Sequence, residues 1–504
     1  MSLLFERLQQ QADVQPDAIA LRSRDRRLSY GELMQAVRQA CAQLQSMQLQ
    51  SIGLYLDNGM DWIIFDLAAL AAGVSVVPLP WFFSAAQIEH AISDARLDGI
   101  VFDTALPGCV RGCGDALPGF SDSRLQRIET HAATDLPGPD TAAKISYTSG
   151  STGAPKGVPL DLELIEQTAD SVCRAIGNLD IKIHLSILPY ATLLENIAGV
   201  YAPLMLGRCV HAEPSADIGL GATLGLDPAK LQASFNRVRP NSLIVTPQLL
   251  DLLCILVEQK AIDPDCLVFV AVGGARVAPA LIRRARRAGI PAYEGYGLTE
   301  FASVATLNTP QQDRIGSVGK PLPGVIVEIA ADGEICLARE SGEQGAVGWR
   351  QWPLQRTGDY GSIDDEGFVQ VYGRKSNLIV LANGRNVSPE WIEAELNASA
   401  LITQSYVYSD DGESLSALLA TTADDARVEA WILRVNRELP AYARLYQWHR
   451  LTQPFSAAQQ TLTANGRLRR RQIAQQLTEL LARTEMQPAR AGTQPRYSSQ
   501  ESNP

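Results

Sequence analysis

The sequence predicts an α/β protein with a large N-terminal region of mainly parallel sheet and a smaller C-terminal region of helices and strands. Helical and strand-like stretches alternate through the first 140 residues and again after residue 160. Short strands separated by turn residues replace this alternation from Val325, and a smaller α/β segment follows Gly373. Strands that alternate with helices are typical of a parallel sheet covered on both faces. A chain of 504 residues has room for about two to four domains.

The individual elements are predicted from hydrophobic periodicity and from β-branched runs. In the first 140 residues the predicted elements are helix 36–47, strand 51–56, helix 62–72, strand 74–79 and helix 85–95. Further strands are predicted over 242–246, 267–272 and 292–295. Beyond Val325, an Asp-Gly pair and a Glu-Gly pair predict hairpin turns. The stretch from Met486 to Pro504 is rich in Gln, Pro, Ser and Arg, which predicts a disordered tail.

Charge and composition exclude several classes of protein. Lys and Arg total 44 against 55 Asp and Glu, and the net charge of −11 argues against nucleic acid or an anionic membrane as partner. The most apolar stretch, Leu67–Phe83, contains a glycine and two prolines, so no transmembrane segment is expected. The N-terminus carries acidic and polar side chains too early for a signal peptide. The eight cysteines have no metal-ligand spacing, and we expect free thiols in the cytoplasm.

A glycine- and hydroxyl-rich segment, Tyr147–Gly157, is the strongest chemical motif in the chain. Its sequence YTSGSTGAPKG follows a short apolar run. Glycines allow backbone N–H groups to converge on an anion, hydroxyls add donors, and Lys156 adds a positive charge. The spacing differs from that of a P-loop, because Ala154 and Pro155 separate Gly153 from the lysine. We therefore predict a phosphate-binding loop of another kind.

This loop and six other segments, in the same order, resemble the adenylate-forming (AMP-binding) superfamily. The superfamily contains acyl-CoA synthetases, peptide-synthetase adenylation domains and luciferases, and the chain is most similar to bacterial long-chain fatty acyl-CoA synthetases. The other matching segments are LSYGELMQAV from Leu28, Gly273–Ala275, Tyr296–Glu300, Thr357–Asp359 with Gly373-Arg374, NGRNVSPEWIE from Asn383, and LTANGRLRR from Leu462. The resemblance covers roughly residues 5 to 480.

The resemblance implies a fold and a division into domains. We expect a large N-terminal AMP-binding domain over 1–374, made of mixed parallel sheets covered by helices plus a small β-barrel-like part. A small mobile α+β domain is expected over 375–483, followed by a disordered tail over 484–504.

The resemblance also implies the site residues for ATP, Mg²⁺ and CoA. The residues expected to bind these ligands are Thr148, Ser149, Gly150, Ser151, Thr152, Gly153, Gly274, Ala275, Tyr296, Gly297, Asp359, Arg374 and Gly384. The residues expected in catalysis are Lys156, Thr299, Glu300 and Arg467, with Glu300 also the ligand of Mg²⁺. Tyr296 is expected to stack on adenine, Thr299 to donate to the α-phosphate, and Asp359 to accept from the ribose hydroxyls.

Three positions depart from the family pattern. Thr192 stands where many members carry a histidine, and Ser376 stands at a hinge that is often Asp or Lys. Arg467 replaces the lysine that contacts the substrate carboxylate and the α-phosphate. Arginine keeps the charge but is planar and bulkier than lysine. Together with Thr192, this leaves open a non-catalytic relative that binds acyl groups or nucleotides.

The substrate is expected to be a medium- or long-chain fatty acid. The segments LLENIAGVYAPLML from Leu193 and IVTPQLLDLL from Ile244 are largely apolar, and an apolar pocket gains about 0.8 kcal/mol per buried CH₂. Glu195 is the only acid in the region where amino-acid-activating relatives place an aspartate, and we interpret it as a surface or helix-capping residue.

CoA is the expected acceptor, with Gly384 leaving space for the pantetheine arm. A stand-alone acyl carrier protein presents the same arm, so a fatty acyl-AMP ligase is an alternative. The run Arg469–Arg471 is interpreted as a contact for CoA phosphate or a carrier, or as a solvated helix face.

Overall fold

The computed structural model describes residues 2–103, 106, 114–120, 123–128, 142–148, 155–221, 226–340, 352–382, 384–463, 466–484 and 486–488. The described residues fall into two compact units: the first contains those up to Val371 together with Gly466, and the second contains 372–463 and those from Arg467 onward. Within the described part of the chain, no helix has the length and apolar character needed to cross a membrane.

The helices of the first unit are α1 (Leu3–Val14), α2 (Tyr30–Ser46), α3 (Met60–Ala72), α4 (Ala85–Asp94), α5 (Leu162–Ile176), α6 (Ala202–Met205), α7 (Ser215–Ile218), α8 (Pro228–Val238), α9 (Pro247–Glu258) and α10 (Pro279–Arg287). Those of the second unit are α11 (Pro389–Leu396), α12 (Asp425–Glu438) and α13 (Arg470–Ala482). A π-helical segment covers Leu194–Tyr201, and 3₁₀ turns cover Pro264–Cys266, Thr299–Phe301, Lys375–Asn377 and Ala441–Ala443.

The first unit contains a nine-stranded mixed sheet. Its strands are β1 (Ile19–Arg22), β2 (Arg27–Ser29), β10 (Ile183–Leu185), β11 (Cys209–His211), β12 (Ser242–Val245), β13 (Phe269–Val272), β14 (Ala292–Tyr296), β15 (Thr306–Leu307) and β16 (Lys320–Pro321). Their order is β16-β15-β14-β13-β12-β10-β11-β1-β2. The central neighbours pair in parallel, whereas β2, β15 and β16 pair antiparallel at the edges.

A seven-stranded sheet in the first unit carries the start of the glycine-rich segment. Its strands are β3 (Ser51–Tyr55), β4 (Ser75–Pro78), β5 (Gly99–Phe102), β6 (Asp115–Ala116), β7 (Arg124–Arg127), β8 (Lys144–Thr148) and β9 (Lys156–Leu160). Their order is β6-β7-β5-β3-β4-β8-β9, with β5, β3, β4 and β8 parallel.

The remaining strands form three smaller sheets. The part predicted to be barrel-like is a four-stranded sheet of β17 (Val325–Ile329), β18 (Glu334–Arg339), β19 (Trp352–Ile363) and β20 (Val369–Arg374). In the second unit, β21 (Ile379–Val380) and β22 (Asn386–Val387) form a hairpin. The main sheet of that unit contains β23 (Gln404–Tyr408), β24 (Leu415–Ala420), β25 (Leu445–Arg450) and β26 (Met486–Pro488).

Local sequence explains how the helices that cover these sheets begin and pack. Helix α2 starts with a capping box, because Ser29 and Glu32 satisfy each other's backbone N–H groups. Helix α3 is buried continuously from Trp62 to Leu70, a stretch that is apolar except for Asp66, which pairs with Lys144 at 2.7 Å. The predicted mixed α/β architecture, with a large first unit and a smaller second one, is confirmed.

Part of the predicted disordered tail is ordered. Met486–Pro488 forms strand β26, which pairs antiparallel with β25 so that His449 faces Met486. An edge strand such as β25 exposes a row of unpaired backbone groups, and a short added strand satisfies them whatever its side-chain composition. Composition alone therefore predicted the wrong state for these three residues, while 489–504 lie outside the described residues.

Candidate nucleotide-binding and adenylation site

The flanks of the predicted phosphate loop are two paired strands. Thr148 at the end of β8 lies opposite Lys156 at the start of β9. The hydroxyl of Thr148 donates to the carbonyl oxygen of Lys156 at 3.4 Å, and the Lys156 side chain is exposed. Between them, the predicted ligand-binding residues Ser149, Gly150, Ser151, Thr152 and Gly153 lie outside the described residues.

Helix α4 anchors both flanks of this loop. The phenolic hydroxyl of Tyr147 donates to Asp94 Oδ2 at 2.7 Å. On the other flank, His90 Nε2 lies 2.9 Å from the carbonyl oxygen of Pro155. Because both strand ends are tied to one helix, Thr148 and Lys156 are held at a fixed separation.

A second element of the predicted nucleotide pocket is the turn after β13. The Gly273 N–H donates to the Val245 carbonyl at 3.0 Å, which fixes the turn to the neighbouring strand β12. Gly274 has φ of +81° and lies in open space, and it is exposed together with Ala275. The left-handed backbone there favours glycine.

Two predicted ligand-binding side chains from distant segments meet. Tyr296 ends β14, and its hydroxyl donates to Asp359 Oδ2 at 2.6 Å. Asp359 lies on β19 and is 5% exposed. Its backbone N–H is held by the hydroxyl of Thr357, which in turn donates to the Ile335 carbonyl. The structure therefore brings the Tyr296–Glu300 and Thr357–Asp359 motifs into one place.

The turn after Tyr296 requires a glycine for reasons of space. A Cβ at Gly297 would lie 1.4 Å from the carbonyl oxygen of Ser303. Phe301, which is 2% exposed, anchors the 3₁₀ turn that contains Thr299 and Glu300. Burying this one aromatic side chain leaves the preceding Glu300 in solvent.

Glu300 is available for a metal ion. Its side chain is exposed, and no described residue hydrogen-bonds to its carboxylate. Within the described ranges, no group of three or more His, Cys, Asp or Glu residues has the geometry of a metal site. Mg²⁺ usually binds one or two carboxylates together with substrate phosphates and water, so a single free carboxylate fits that donor set.

Glu294 is a residue of this region that the sequence analysis missed. It lies on β14 and is 8% exposed. Burial raises the pKa of Glu294 to about 8, although Arg276 and the Val277 N–H oppose this. Strand alternation places Glu294 on the same face as Tyr296, which is the sequence feature that could have identified it.

Glu195 corrects an interpretation made from the sequence. It is fully buried in the π-helical segment, and its Oε1 lies 2.9 Å from His184 Nε2. The other ring nitrogen of His184 lies 2.8 Å from the hydroxyl of Ser242. The surface or helix-capping interpretation is therefore wrong, because a histidine from β10 supplies the partner that allows a carboxylate to be buried.

Thr192, which stands where many family members carry a histidine, donates its hydroxyl to the Pro189 carbonyl at 2.7 Å.

Three predicted site residues belong to the second unit. Gly384 is exposed with φ of +76° and no atom within 4 Å of a Cβ built on it. Arg374 ends β20, and Arg467 lies near enough to it for the like charges to interact. Ser376 lies in the 3₁₀ turn Lys375–Asn377.

The arginine run that was interpreted as a contact for CoA or a carrier is only partly available. Arg470 pairs with Glu390 and Glu393, and Arg469 bonds to Gln460, whereas Arg471 is exposed. The neighbouring carboxylates on α11, which the sequence did not identify as partners, therefore occupy the middle arginine.

Comparison with known proteins agrees with these features. The family model of the AMP-binding enzymes matches residues 8–347, and the model of the AMP-binding enzyme C-terminal domain matches residues 376–484. Long-chain-fatty-acid–CoA ligase FadD15 of Mycobacterium bovis is 26% identical over 79% of this chain and 78% of its own length. A 2-succinylbenzoate–CoA ligase of Bacillus pumilus is 25% identical over 81% of this chain and 86% of its own length.

A solved structure supports the fold. The o-succinylbenzoate CoA synthetase MenE of Bacillus subtilis, in complex with ATP and magnesium, superposes with a TM-score of 0.72 at 21% identity, covering 93% of this chain and 99% of the other. The relatives support the class of acid–CoA ligases. The two family matches cover most of the chain, which therefore belongs to the AMP-binding enzyme family, the adenylate-forming superfamily.

Proposed function

We propose that this protein activates a medium- or long-chain fatty acid with ATP and transfers the acyl group to CoA. In the first step a carboxylate oxygen attacks the α-phosphorus of ATP, and the bond to the β-phosphate breaks to release pyrophosphate. In the second step the CoA thiol loses its proton, and its sulfur attacks the acyl carbon to release AMP. The observation that carries the proposal is the hydrogen bond between Tyr296 and Asp359. Glu300, four residues after Tyr296, is exposed and has no hydrogen-bond partner among the described residues.

The nucleotide roles follow from the groups present. Tyr296 presents a ring for adenine while its hydroxyl orients Asp359. A buried carboxylate held in this way can accept hydrogen bonds from both ribose hydroxyls. Thr299 and Lys156 supply a donor and a positive charge for the phosphates, and preorganised donors of this kind stabilise charge that develops during the transfer. Arg374 is proposed to act near the ribose.

Glu300 is the proposed Mg²⁺ ligand. A bound Mg²⁺ would neutralise phosphate charge and hold the leaving pyrophosphate. The Glu300 carboxylate would hold the metal in place, because its turn is fixed by the buried Phe301 and by the close approach of the Ser303 backbone to Gly297.

Arg467 is proposed to take the place of the family's lysine in the first step. Its guanidinium fork can contact a carboxylate and a phosphate oxygen with two parallel hydrogen bonds. The charge is retained, so we propose an active enzyme over a non-catalytic relative.

A fatty acid is favoured by two observations. Glu195 is the only acid in the region where amino-acid-activating relatives place an aspartate, and it is buried against His184 and unavailable to an ammonium group. The following segment buries Ile197, Val200 and Leu204. The similarity to a long-chain-fatty-acid–CoA ligase agrees with this choice, whereas the 2-succinylbenzoate–CoA ligases make an aromatic acid the competing substrate.

The test measures products with and without each acceptor. The purified protein is incubated with fatty acid, ATP and Mg²⁺, and then with either CoA or an acyl carrier protein that bears the phosphopantetheine arm. We expect pyrophosphate and AMP, with acyl-CoA as the product when CoA is present. Formation of ADP would overturn the proposed chemistry. Acyl transfer to the carrier protein alone would identify a fatty acyl-AMP ligase.

A further inference from the structure

Arg467 lies in a hairpin whose paired legs, 462–463 and 467–468, belong to the second unit. Leu462 and Leu468 form an antiparallel bridge, and the Thr463 N–H donates to the Arg467 carbonyl at 2.7 Å. The Arg467 N–H in turn donates to the Thr463 hydroxyl at 2.9 Å. The position of Arg467 therefore depends on how the two legs of this hairpin are attached to the rest of the unit.

One leg continues directly into Arg470, the first residue of α13. Its Nε donates to Glu390 Oε1 at 3.1 Å, and its Nη2 donates to Glu393 Oε2. The guanidinium carbon lies 5.4 Å from the centre of the Tyr406 ring on β23. The Arg470 side chain is only 16% exposed. Two carboxylates and a ring thus fix this arginine, which leaves little of it for a ligand.

The same carboxylate holds the predicted hinge. Asn377, in the 3₁₀ turn that contains Ser376, donates from Nδ2 to Glu390 Oε1 at 2.6 Å. The other oxygen of Glu390 accepts from the Ser388 hydroxyl at 3.0 Å. One carboxylate oxygen on α11, Glu390 Oε1, therefore binds both the hinge turn and the base of the Arg467 hairpin.

We propose that Arg470 is a positioning residue that locks the Arg467 hairpin and the hinge turn to helix α11, so that the two move as one piece. This inference rests on the proposed function, in which Arg467 acts during adenylation. An arginine that donates from two nitrogens to two different carboxylates fixes direction as well as distance, which a lysine does less well. This positioning role of Arg470 differs from contact with the substrate, because Glu390 and Glu393 already accept hydrogen bonds from its Nε and Nη2.

The activity test separates the two half-reactions. Arg470→Gln should lower acid-dependent pyrophosphate release by about 10- to 100-fold, the scale expected when a catalytic group is misplaced by about 1 Å. Thioester formation from pre-made acyl adenylate and CoA should stay within about twofold, and Arg470→Lys should recover part of the first rate. Arg437→Gln, at an exposed position in the last turn of α12, is the matched control. Unchanged adenylation in a folded Arg470→Gln variant, or an equal loss in both half-reactions, would overturn the inference.

Hydrogen–deuterium exchange tests the lock without any substrate. In Arg470→Gln, amide exchange should rise together in peptides that cover the hairpin 462–468 and the hinge turn 375–377, and in Arg437→Gln it should rise in neither. Faster exchange in the hairpin alone would overturn the coupling. If the wild-type protein forms no adenylate with any acid, the proposed function fails, while this exchange measurement still decides the role of Arg470.

Discussion

At the scale of single residues, the second core motif shows two opposite constraints within four positions. Gly297 is required because the backbone of Ser303 approaches it, whereas Glu300, the proposed Mg²⁺ ligand, is exposed and has no hydrogen-bond partner among the described residues. The first constraint concerns packing and the second concerns chemistry, so substitutions at the two positions should fail in different ways.

Gly297→Ala should disrupt the turn itself. A Cβ placed 1.4 Å from the Ser303 carbonyl oxygen forces the backbone to move, and Thr299 and Glu300 move with it. We expect destabilisation of about 1–3 kcal/mol in chemical unfolding, together with loss of ATP binding. Gly59→Ala is the control, because its Cβ would meet no atom closer than 3.9 Å. Equal stability of the two variants would show that the turn tolerates the methyl group.

Glu300→Gln should remove activity while the fold survives. The amide keeps the shape of the side chain but loses the charge that holds Mg²⁺ against the phosphates. We expect acid-dependent pyrophosphate release to fall by about 10²–10³-fold, as for loss of one preorganised charge-stabilising group. The circular dichroism spectrum should not change, because the side chain is exposed. The control is Glu328→Gln, an exposed glutamate on β17. Near wild-type turnover in Glu300→Gln would exclude it as the metal ligand.

Glu294 should make stability depend on pH. Its pKa in the folded protein is about 8, against an ordinary value of 4.5, so the folded state retains a proton that the unfolded state releases between these values. Stability therefore falls as pH rises through this window. In urea unfolding at pH 5 and pH 9, the wild type should lose about 4 kcal/mol more than Glu294→Gln, which has no proton to lose. Parallel stability curves for the two proteins would show that Glu294 ionises normally.

At the scale of elements, local patterns predicted five central strands of the two large sheets, namely β3, β4, β12, β13 and β14. The strand expected over 51–56 is β3 (Ser51–Tyr55), and the helix expected over 62–72 is α3 (Met60–Ala72). Hydrophobic periodicity follows burial, so these buried strands could be predicted from the sequence. Strand β26 could not be predicted in this way, because it pairs with β25 through backbone groups, and backbone pairing leaves no pattern in the sequence.

The sequence predicted which residues belong to the candidate site, but it did not predict the contacts between them. Tyr296 and Asp359 were each identified in a motif, but their hydrogen bond joins residues 63 positions apart, and only the folded sheets bring them together. The partners of Glu195 and Arg470 were missed for the same reason, since His184 and Glu393 lie on other elements.

The hairpin that carries Arg467 should matter for one half-reaction. Arg467→Ala should slow adenylate formation by the equivalent of about 2.7–4 kcal/mol, because a charge-stabilising donor is lost. Thioester formation from pre-made acyl adenylate should be nearly unchanged, and Arg467→Lys should retain or raise the first rate. Single-turnover measurement of each half-reaction checks this expectation. Equal adenylation in wild type and Arg467→Ala would leave Lys156 as the first alternative cation.

At the scale of the whole molecule, an acidic protein binds an anionic nucleotide through a few local donors. The net charge of −11 gives no general attraction for ATP, so under the proposed function affinity comes from local donors, for which the turn after β13 and the motif around Tyr296 are the proposed sources. A fold shared by enzymes with different acid substrates does not determine the acid, so the proposed substrate rests on local features such as the burial of Glu195 and the apolar segment after it.

The most direct measurement is a comparison of kcat/KM across acids in the AMP-forming, CoA-dependent reaction. The panel contains fatty acids of about 8 to 18 carbons, acetate, benzoate, 2-succinylbenzoate and amino acids. Each buried CH₂ contributes about 0.8 kcal/mol, so medium- and long-chain fatty acids should exceed acetate by several powers of ten. We expect them also to exceed every aromatic acid and amino acid. The highest kcat/KM for 2-succinylbenzoate, for another aromatic acid or for an amino acid would contradict the assignment of a fatty acid substrate.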